Sequence, residues 1–426
     1  MGVLGALEAT YAHIQHREHV GEAVAEPVEA IGVHWCGLCP GGDAAAYCKQ
    51  QSELAAALEH GRRIARDICG GDPERMAPPR VADYVEAAFK GAKGVKVTVE
   101  ADQVTIAKEY PLLDAVNRCS VERHRARIVE LEYTGEGPIE KTVYVIGKGV
   151  TYDTGGADVK YGGVMAGMSR DKGGAAAAAG LIMSLSLLQP KGLRVVSILG
   201  MVRNSIGAEC YVADEVITGH SGKRILVVNT DAEGRMVKAD LLSLARTRVI
   251  EAAAGTAPTP GSVIVHSVAT LTGHAVVAYG NYSSVNGNGP AVGINLPTEI
   301  QAAGQAFGDC CEVSTLRRED YRFVAPRRAH YDVLQCNTLP SSRTPRGHQF
   351  PMAFLSCASG LVDHGVDSKL PIPYCHLDIA GSANVGDVAT GYETGAAVIA
   401  LAAQYAGLGS VLPSSGSGAA AGGGGD

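Results

Sequence analysis

Two segments of the chain concentrate residues that could perform acid–base or metal chemistry. The first reads GKGVTYDTGGADVKYGGVMAGMSRDKGG over residues 147–174, and the second reads NTDAEGRMVKADLL over residues 229–242. Both are rich in charged residues and follow short apolar runs that are typical of strands. Ligands of open α/β sheets bind at the carboxyl ends of strands. We therefore expect both segments to lie on the same edge of a sheet.

Carboxylates and cations alternate within these two segments. The carboxylates are Asp153, Asp171, Asp231 and Glu233, and the cations are Lys148, Lys160 and Arg235. Crowded carboxylates repel one another, and two divalent cations about 3.5–4 Å apart would relieve that repulsion. Oxygen ligands suit Mg²⁺ or Mn²⁺, whereas Zn²⁺ also accepts carboxylates and a neutral lysine amine. Taken alone, Asp231 and Glu233 are also typical of a solvated helix N-terminus.

The same segments resemble the leucyl aminopeptidase (cytosol aminopeptidase) family of dinuclear metallopeptidases. Residues 229–236 read NTDAEGRM against the family signature NTDAEGRL, and residues 147–156 match the pattern GKGxTxDxGG. Lys160 and Asp171 follow at the family spacing. The segments ATLTG and HLDIAG, at 269–273 and 376–381, also resemble family segments. The resemblance covers roughly residues 69–406.

The resemblance implies a role for each of these residues. The more exchangeable metal would be bound by Asp153, Asp231 and Glu233. The tighter metal would be bound by Lys148, Asp153, Asp171 and Glu233. A water or hydroxide between the metals would be the nucleophile. Lys160 would stabilise the developing gem-diolate oxygen, and Arg235 would hold a bicarbonate ion that acts as general base. The implied substrate-binding residues are Met168, Asn229, Thr270, Leu271 and Gly273.

These roles predict a metal-dependent aminopeptidase that releases a Leu-like or Met-like residue from peptides with a free N-terminus. The predicted cofactors are two divalent ions per subunit, Zn²⁺ or Mn²⁺ with Mg²⁺ as a further option, together with bicarbonate. The family also implies a homohexamer. The alternative function is a catalytically silent structural or scaffolding member of the same fold.

Apolar and amphipathic stretches that could position this site alternate along the chain. Strand-like apolar runs occupy residues 142–147, 193–200, 224–229, 262–267 and 374–379. Helix-like stretches occupy residues 43–68, 173–188, 236–253, 296–307 and 393–406. The alternation predicts an α/β fold with a mixed, mainly parallel sheet that helices cover on both faces. The resemblance implies that this is a zinc-exopeptidase-like catalytic domain.

Three regions are predicted along the chain. Residues 1–68 would form a shortened N-terminal region and a linker helix, because the family carries a longer N-terminal domain. Residues 69–406 would form the catalytic domain. Residues 407–426 are rich in Gly, Ala and Ser, which predicts a disordered tail.

Three further features depart from the family pattern. His274 follows Gly273 at a position where a small residue is usual. The sequence RGHQFP at 346–351 replaces a Gly-rich turn, and the insertion at 251–261 is predicted to lengthen a surface loop. The first departure adjoins an expected substrate contact, and the sequence at 346–351 resembles a divergent branch of the family.

Composition excludes several other functions. The 426 residues carry a net charge of −7, which argues against general nucleic-acid binding. No uninterrupted apolar run approaches the roughly 18 residues of a membrane helix, and residues 1–19 lack the pattern of a secretory signal. The eleven cysteines are scattered, which is typical of reduced thiols in the cytoplasm.

One cysteine pair suggests an alternative chemistry. Residues 35–40 read WCGLCP, which is similar to a thioredoxin-type redox motif at Cys36 and Cys39. A thioredoxin fold needs a βαβ context around the motif, and too few residues precede it here. We therefore expect structural thiols at this position.

Overall fold

The computed structural model of the protein describes residues 1–34, 43–254, 259, 261–387 and 390–408. The strands of the described residues are β1 (Val95–Glu100), β2 (Arg127–Thr134), β3 (Lys141–Asp153), β4 (Leu193–Asn204), β5 (Val216–Thr218), β6 (Arg224–Leu226), β7 (Val263–Ala269), β8 (Ser283–Gly287), β9 (Cys311–Thr315), β10 (Val333–Leu334), β11 (Tyr374–Asp378), β12 (Asn384–Val385) and β13 (Tyr392–Glu393).

Eight of these strands form one sheet in the order β1-β2-β4-β3-β7-β11-β8-β9. The four central strands, β4, β3, β7 and β11, run parallel to one another. Antiparallel pairs flank them, with β2 against β4, β1 against β2 and β8 against β11, while β9 runs parallel to β8. The predicted mixed, mainly parallel sheet is confirmed.

Helices cover both faces of this sheet. The α-helices of the described residues are α1 (Gly2–Glu8), α2 (Ile14–Val20), α3 (Glu22–Ala25), α4 (Ala44–Gly70), α5 (Pro78–Ala88), α6 (Gln103–Glu109), α7 (Pro111–Asn117), α8 (Gly173–Leu188), α9 (Glu233–Ala252), α10 (Gly273–Tyr279), α11 (Gly289–Gly293), α12 (Leu296–Phe307), α13 (Arg318–Val324), α14 (Phe350–Ser359) and α15 (Val398–Tyr405). None of them combines the length and the apolar character needed to cross a membrane.

Two hydrophobic cores lie on opposite faces of the sheet. Successive side chains of a strand point to opposite faces, and β3 follows this rule. Val143 and Val145 join the core formed with α4, α5, α8, α12 and α15. Tyr144 and Ile146 join the core formed with α6, α7, α9 and α14. A strand buried on both faces has a continuous apolar sequence, which is why β3 is recognisable in the sequence.

The helices that lead to the two neighbours of β3 pack on opposite faces of the sheet. Helix α8 connects β3 to β4 and packs on one face, whereas α9 precedes β7 and packs on the other. Such a reversal opens a crevice at the carboxyl end of the central strand. The crevice lies at the two segments that the sequence analysis singled out.

Two predicted helices have their predicted bounds in the structure, at 173–188 and 296–307. The helix predicted at 393–406 begins only at Val398. The backbone preceding it is left-handed at Gly395, with φ +69°, and at Ala397, with φ +67°. A left-handed residue cannot continue a right-handed helix, so these positions delay the start of α15.

The apolar run at 224–229 does not join the main sheet. Only Arg224–Leu226 is a strand, and it pairs with β5 and β10 in a separate three-stranded sheet. The chain leaves the main sheet after β4 and returns to it only at β7. The second chemical segment therefore reaches the edge of the sheet on a loop.

Some predictions fall outside the described residues. These are the Cys36 and Cys39 motif, part of the loop at 251–261, and the tail from residue 409 onward. The predicted boundaries after residues 68 and 406 stay predictions. Helix α4, the predicted linker helix, packs along α8 in the main core.

Candidate metal centre

All of the predicted site residues line one cavity of about 410 Å³. The lining includes Lys148, Asp153, Lys160, Asp171, Asp231, Glu233 and Arg235, together with Met168, Asn229, Thr270, Leu271 and Gly273. They come from three separate stretches of the chain, 148–171, 229–235 and 270–273, so it is the fold that brings them together. Their individual roles stay predictions.

The ends of secondary-structure elements position the charged residues. Lys148 lies within β3, and Asp153 is the last residue of that strand. The register between β3 and β4 shifts between Val150 and Asp153, a bulge-like irregularity that changes the direction of a strand. Asp171 lies two residues before the start of α8, and Glu233 is the first residue of α9.

Two glycines allow these helices to approach the sheet closely. A Cβ on Gly174 would lie 2.1 Å from the carbonyl oxygen of Val268 in β7. A Cβ on Gly234 would lie 2.4 Å from Cε of Lys148. A side chain on Gly174 would collide with the backbone of β7, and one on Gly234 would displace the side chain of Lys148. Glycine therefore lets α8 pack closely on the sheet and the start of α9 cover the lysine.

The inner part of the site is a buried ion-pair cluster around Lys148. Its Nζ donates to Asp171 Oδ1 at 2.7 Å and lies 2.8 Å from Glu233 Oε1. Burial alone would lower the pKa of Lys148, but the surrounding carboxylates raise it above its ordinary value. Burial, with the repulsion of neighbouring carboxylates, raises the pKa of Asp171 well above its usual range despite Lys148.

The outer part of the site is built around Lys160. Its Nζ lies 2.9 Å from Asp153 Oδ2 and 2.5 Å from Asp231 Oδ1. The side chain of Asp231 is 38% exposed, so this part opens to solvent. Burial and the charge of Asp153 raise the pKa of Asp231 to about 7, although Lys160 acts in the opposite direction.

The carboxylates fit a multivalent cation. One oxygen from each of Asp153, Asp171 and Glu233 can be chosen so that all lie within 4.8 Å of one another. Asp171 Oδ2 and Glu233 Oε2 are buried without a hydrogen-bond partner. An unsatisfied buried acceptor costs about 1–3 kcal/mol, and more when it is charged. A divalent cation coordinated by these oxygens would remove that cost.

Arg235 lies buried on the other side of the cavity. Its Nη1 donates to the carbonyl oxygen of Gln335 at 2.8 Å, and its guanidinium lies 5.0 Å from the ring of Phe350. Its Nε is buried without a partner, and within the described residues no carboxylate lies within ion-pair distance of it. Burial lowers its pKa. A buried, partly unsatisfied guanidinium suits a small anion better than a structural ion pair.

Two residues that orient the site were missed in the sequence. Asn204 ends β4, and its Nδ2 donates to Asp153 Oδ1 at 2.8 Å. Gln335 accepts from the backbone N–H groups of Val228 and Asn229 at 2.8 and 3.0 Å. Asn204 was detectable as a polar residue at the end of an apolar strand. Gln335 lies about a hundred residues from the segment it holds, and no local signal marks it.

The loop after β7 connects the metal centre to the substrate side. Thr270 Oγ1 donates to Asp171 Oδ1 at 2.8 Å, so this predicted substrate residue also orients a carboxylate. Asp378 accepts from the backbone N–H of Leu271 at 3.1 Å and from Thr272 Oγ1 at 2.6 Å. The position of the loop is thus fixed from both sides.

Comparison with known proteins gives a consistent set of relatives. Residues 63–408 match the model of the cytosol aminopeptidase family, catalytic domain. A Caenorhabditis elegans protein named "Putative aminopeptidase W07G4.4" is 42% identical over 89% of this chain and 70% of its own length. A "Probable cytosol aminopeptidase" of Campylobacter jejuni is 34% identical over 78% of this chain.

A solved structure shares the fold as well. The structure named "Bottromycin maturation enzyme BotP in complex with Mn" superposes with a TM-score of 0.69 at 27% identity, covering 85% of this chain and 72% of that one. The chain spans 64% of the length of the Campylobacter protein and 63% of a relative from Tropheryma whipplei.

Proposed function

The chain belongs to the cytosol aminopeptidase family, and we propose that it is a metal-dependent aminopeptidase that removes the N-terminal residue of peptides. The observation that carries the proposal is the convergence of four carboxylates, two lysines and Arg235 on one cavity. Buried carboxylates with unsatisfied oxygens are suited to binding divalent cations.

We propose two divalent ions, with the ligand sets that the family pattern implies. Asp153 and Glu233 would contribute to both positions, Asp231 to the more open one, and Lys148 and Asp171 to the buried one. Ions held there would supply a Lewis acid and lower the pKa of bound water. Mn²⁺ is favoured because the structurally similar BotP forms a complex with Mn, and Zn²⁺ and Mg²⁺ are the other candidates.

The three cationic residues of the site would each have a different role in the reaction. Lys148 can act as a ligand only as a neutral amine, and a neighbouring dication would drive the loss of its proton. Lys160 reaches the open part of the cavity, where its ammonium group would donate to the oxygen that becomes negative during hydrolysis. Arg235 would hold bicarbonate, whose oxygen would accept a proton as general base.

The lining and charge of the cavity support the N-terminal residue of a peptide, with an apolar side chain, as the recognised group. The substrate's free α-amino group would bind at the buried metal position. Met168 and Leu271 add apolar surface to the lining. Leu-like or Met-like residues fit such a lining, although each methylene contributes only about 1–3 kcal/mol to selectivity.

We further propose a homohexamer in the cytoplasm, as the family resemblance implies. Light scattering of the purified protein would test the assembly. A monomer or dimer at the concentrations used for the assay would reject the hexamer without affecting the proposed reaction.

The proposed activity is tested by hydrolysis of leucine amide and of a leucine-initiated peptide after loading with Mn²⁺ or Zn²⁺. The matched control is the same peptide with an acetylated N-terminus. Hydrolysis of the free peptide alone, abolished by a chelator, is the expected result. A folded, metal-loaded protein that hydrolyses neither substrate would support the silent scaffolding alternative instead.

A further inference from the structure

Two departures from the family pattern meet in the structure. His274 in α10 and His348, which lies two residues before α14, are 74 residues apart in sequence, yet their Nδ1 atoms lie 2.7 Å from each other. The ring centroids are 4.9 Å apart. A direct bond between two imidazoles requires one ring to donate and the other to accept. The pair is therefore joined by a single shared proton.

The surroundings fix the position of His348. Its side chain is buried, and its Nε2 lies 2.8 Å from Ser314 Oγ at the sheet edge. Gln349 Nε2 donates to the same hydroxyl at 3.0 Å. The ring of Tyr279, from the last turn of α10, meets the imidazole edge-on at 5.3 Å. His348 is thus an anchored partner for the more accessible His274.

Burial, more than the neighbouring charges, keeps the pair neutral at pH 7. Burial and the neighbouring His274 and Arg346 lower the pKa of His348 to about 4, although Asp320 acts in the opposite direction. Burial also lowers the pKa of His274, against the charge of Asp378 and with that of Arg346. Arg346 is itself paired with Asp320 at 2.6 Å.

The pair connects two walls of the site cavity. Gly273 and Val276 of α10 line one wall, and Leu339, Ser341 and Ser342 line the neighbouring wall, which is packed against α10. The backbone N–H of Gly273 donates to Ser341 Oγ at 3.0 Å, which joins the walls near the cavity.

The contact between His274 and His348 joins the same two walls at a second point. A Cβ on Gly347, next to His348, would lie 2.8 Å from Cβ of His274. The two segments are therefore in close contact on both sides of the imidazole pair. Any separation of the imidazoles would move one wall of the cavity relative to the other.

We propose that His274 and His348 form a neutral clamp that holds α10 against residues 339–349 and thereby sets the width of the substrate cavity. Neither residue contacts the metal-binding carboxylates, so the clamp acts on substrate binding and not on the chemistry. The part of this inference that concerns substrate rests on the proposed aminopeptidase function. The contact between the two walls is independent of it.

The kinetic test compares three variants of the full chain. In His274→Ala, KM for leucine amide should rise about tenfold while kcat changes by less than about twofold, because uniform binding is lost. His274→Asn places amide atoms near the Nδ1 position and should restore KM. Val277→Ala, on the exposed side of the same helix, should behave as the wild type. Equal KM values in all variants would overturn the proposal.

The second test does not depend on activity. Amide hydrogen exchange of residues 273–279 should be about tenfold faster in His274→Ala than in His274→Asn or Val277→Ala. A histidine with a lowered pKa stabilises the fold above its ordinary pKa of about 6.5, and this contribution is lost as the pH falls toward the folded value. Exchange in the wild type should therefore approach that of His274→Ala between pH 7 and pH 4.5.

The two readouts separate the possible failures. If the wild type hydrolyses no substrate, the proposed function fails, and hydrogen exchange alone decides whether the clamp exists. If exchange is identical in His274→Ala and the wild type across this pH range, the clamp is rejected even in an active enzyme. Faster exchange with an unchanged KM would reject its role in setting the cavity width.

Discussion

The metal centre and the clamped wall of the same cavity are built in opposite ways. At the metal centre, charged residues are buried at the ends of β3, α8 and α9, and each charge depends on its neighbours. At the clamped wall, neutral histidines and a hydroxyl join α10, β9 and the segment before α14, which are far apart in the sequence. The residues of the metal centre are thus recognisable in two short segments of the sequence, whereas the contacts of the clamped wall appear only in the folded chain.

The contrast also extends to energetics. Removing one charge from the metal centre leaves its partner buried and unpaired, which is strongly destabilising, at about 3–5 kcal/mol. Removing one histidine from the clamp leaves neutral groups that water can reach. We therefore expect changes at the metal centre to abolish function and changes at the wall to adjust it.

The largest effect should come from the carboxylates that are proposed to serve both metal positions. Asp153→Ala and Glu233→Ala should each lose both ions and lower turnover by more than about 1,000-fold, because several kcal/mol of metal-derived stabilisation disappear. Metal analysis and leucine-amide hydrolysis measure this, with Glu86→Ala on the exposed side of α5 as control. Either variant with two bound ions and near-normal activity would contradict the expectation that changes at the metal centre abolish function.

A smaller loss should follow removal of Lys160 or Arg235, the two cations that are proposed not to be metal ligands. Lys160→Ala should lower kcat and kcat/KM alike by about 100–1,000-fold, because one preorganised donor is missing. Arg235→Ala should lower turnover by about 100-fold and remove any stimulation by bicarbonate. Both variants should keep their metal content.

Metal stoichiometry and the bicarbonate response distinguish the roles of these cations. Loss of an ion from Lys160→Ala would show that this lysine helps to hold the metal centre together. Full bicarbonate stimulation in Arg235→Ala would contradict an anion site at that residue, while leaving the metal centre as described.

An intermediate effect should come from Asn204, which touches the site without being charged. Asn204→Ala removes the donor to Asp153 and should weaken metal affinity by about 10–100-fold, as for other residues that orient ligands. At saturating metal, kcat should recover to near the wild-type value. A kcat that stays low at saturating metal would assign Asn204 a direct part in the reaction.

The smallest effect should come from the cysteine motif upstream. The double variant Cys36→Ser and Cys39→Ser should keep activity close to that of the wild type, because both residues precede the metal-binding segments by more than a hundred positions. A loss beyond tenfold, about 1.4 kcal/mol in barrier height, in a folded protein would reveal a contribution of these thiols to the site.

The elements that the sequence revealed best are those with a continuous apolar character. Helix α8 has its predicted bounds because nearly every residue from Gly173 to Ser186 is buried. Strand β8 was not predicted from the sequence, for the opposite reason. Its side chains are buried but polar, with Ser284 Oγ donating to Asn286 Oδ1 at 3.0 Å. Hydrophobic patterning cannot detect a strand whose burial is satisfied by hydrogen bonds.

The residues of the candidate site also differ in how well the sequence predicts them. Its charged residues were predictable because each lies within a short segment, beside glycines that permit close approach. The partners that orient them were not. The position of Gln335 and the Ser314–His348 contact depend on how segments far apart in sequence pack against each other. Such long-range contacts leave no periodic pattern in the local sequence. The two departures at His274 and at residues 346–351 were visible in the sequence, but their contact was not.

The measurement that tests the two-metal centre most directly is a metal titration of the chelator-treated wild-type protein. Mn²⁺ binding would be followed by calorimetry, and leucine-amide hydrolysis would be measured on the same samples. We expect no hydrolysis without metal, and activity that saturates when two ions are bound per chain. Full hydrolysis in the presence of chelator, or a folded protein that binds no divalent ion at the cavity, would contradict a metal-dependent aminopeptidase.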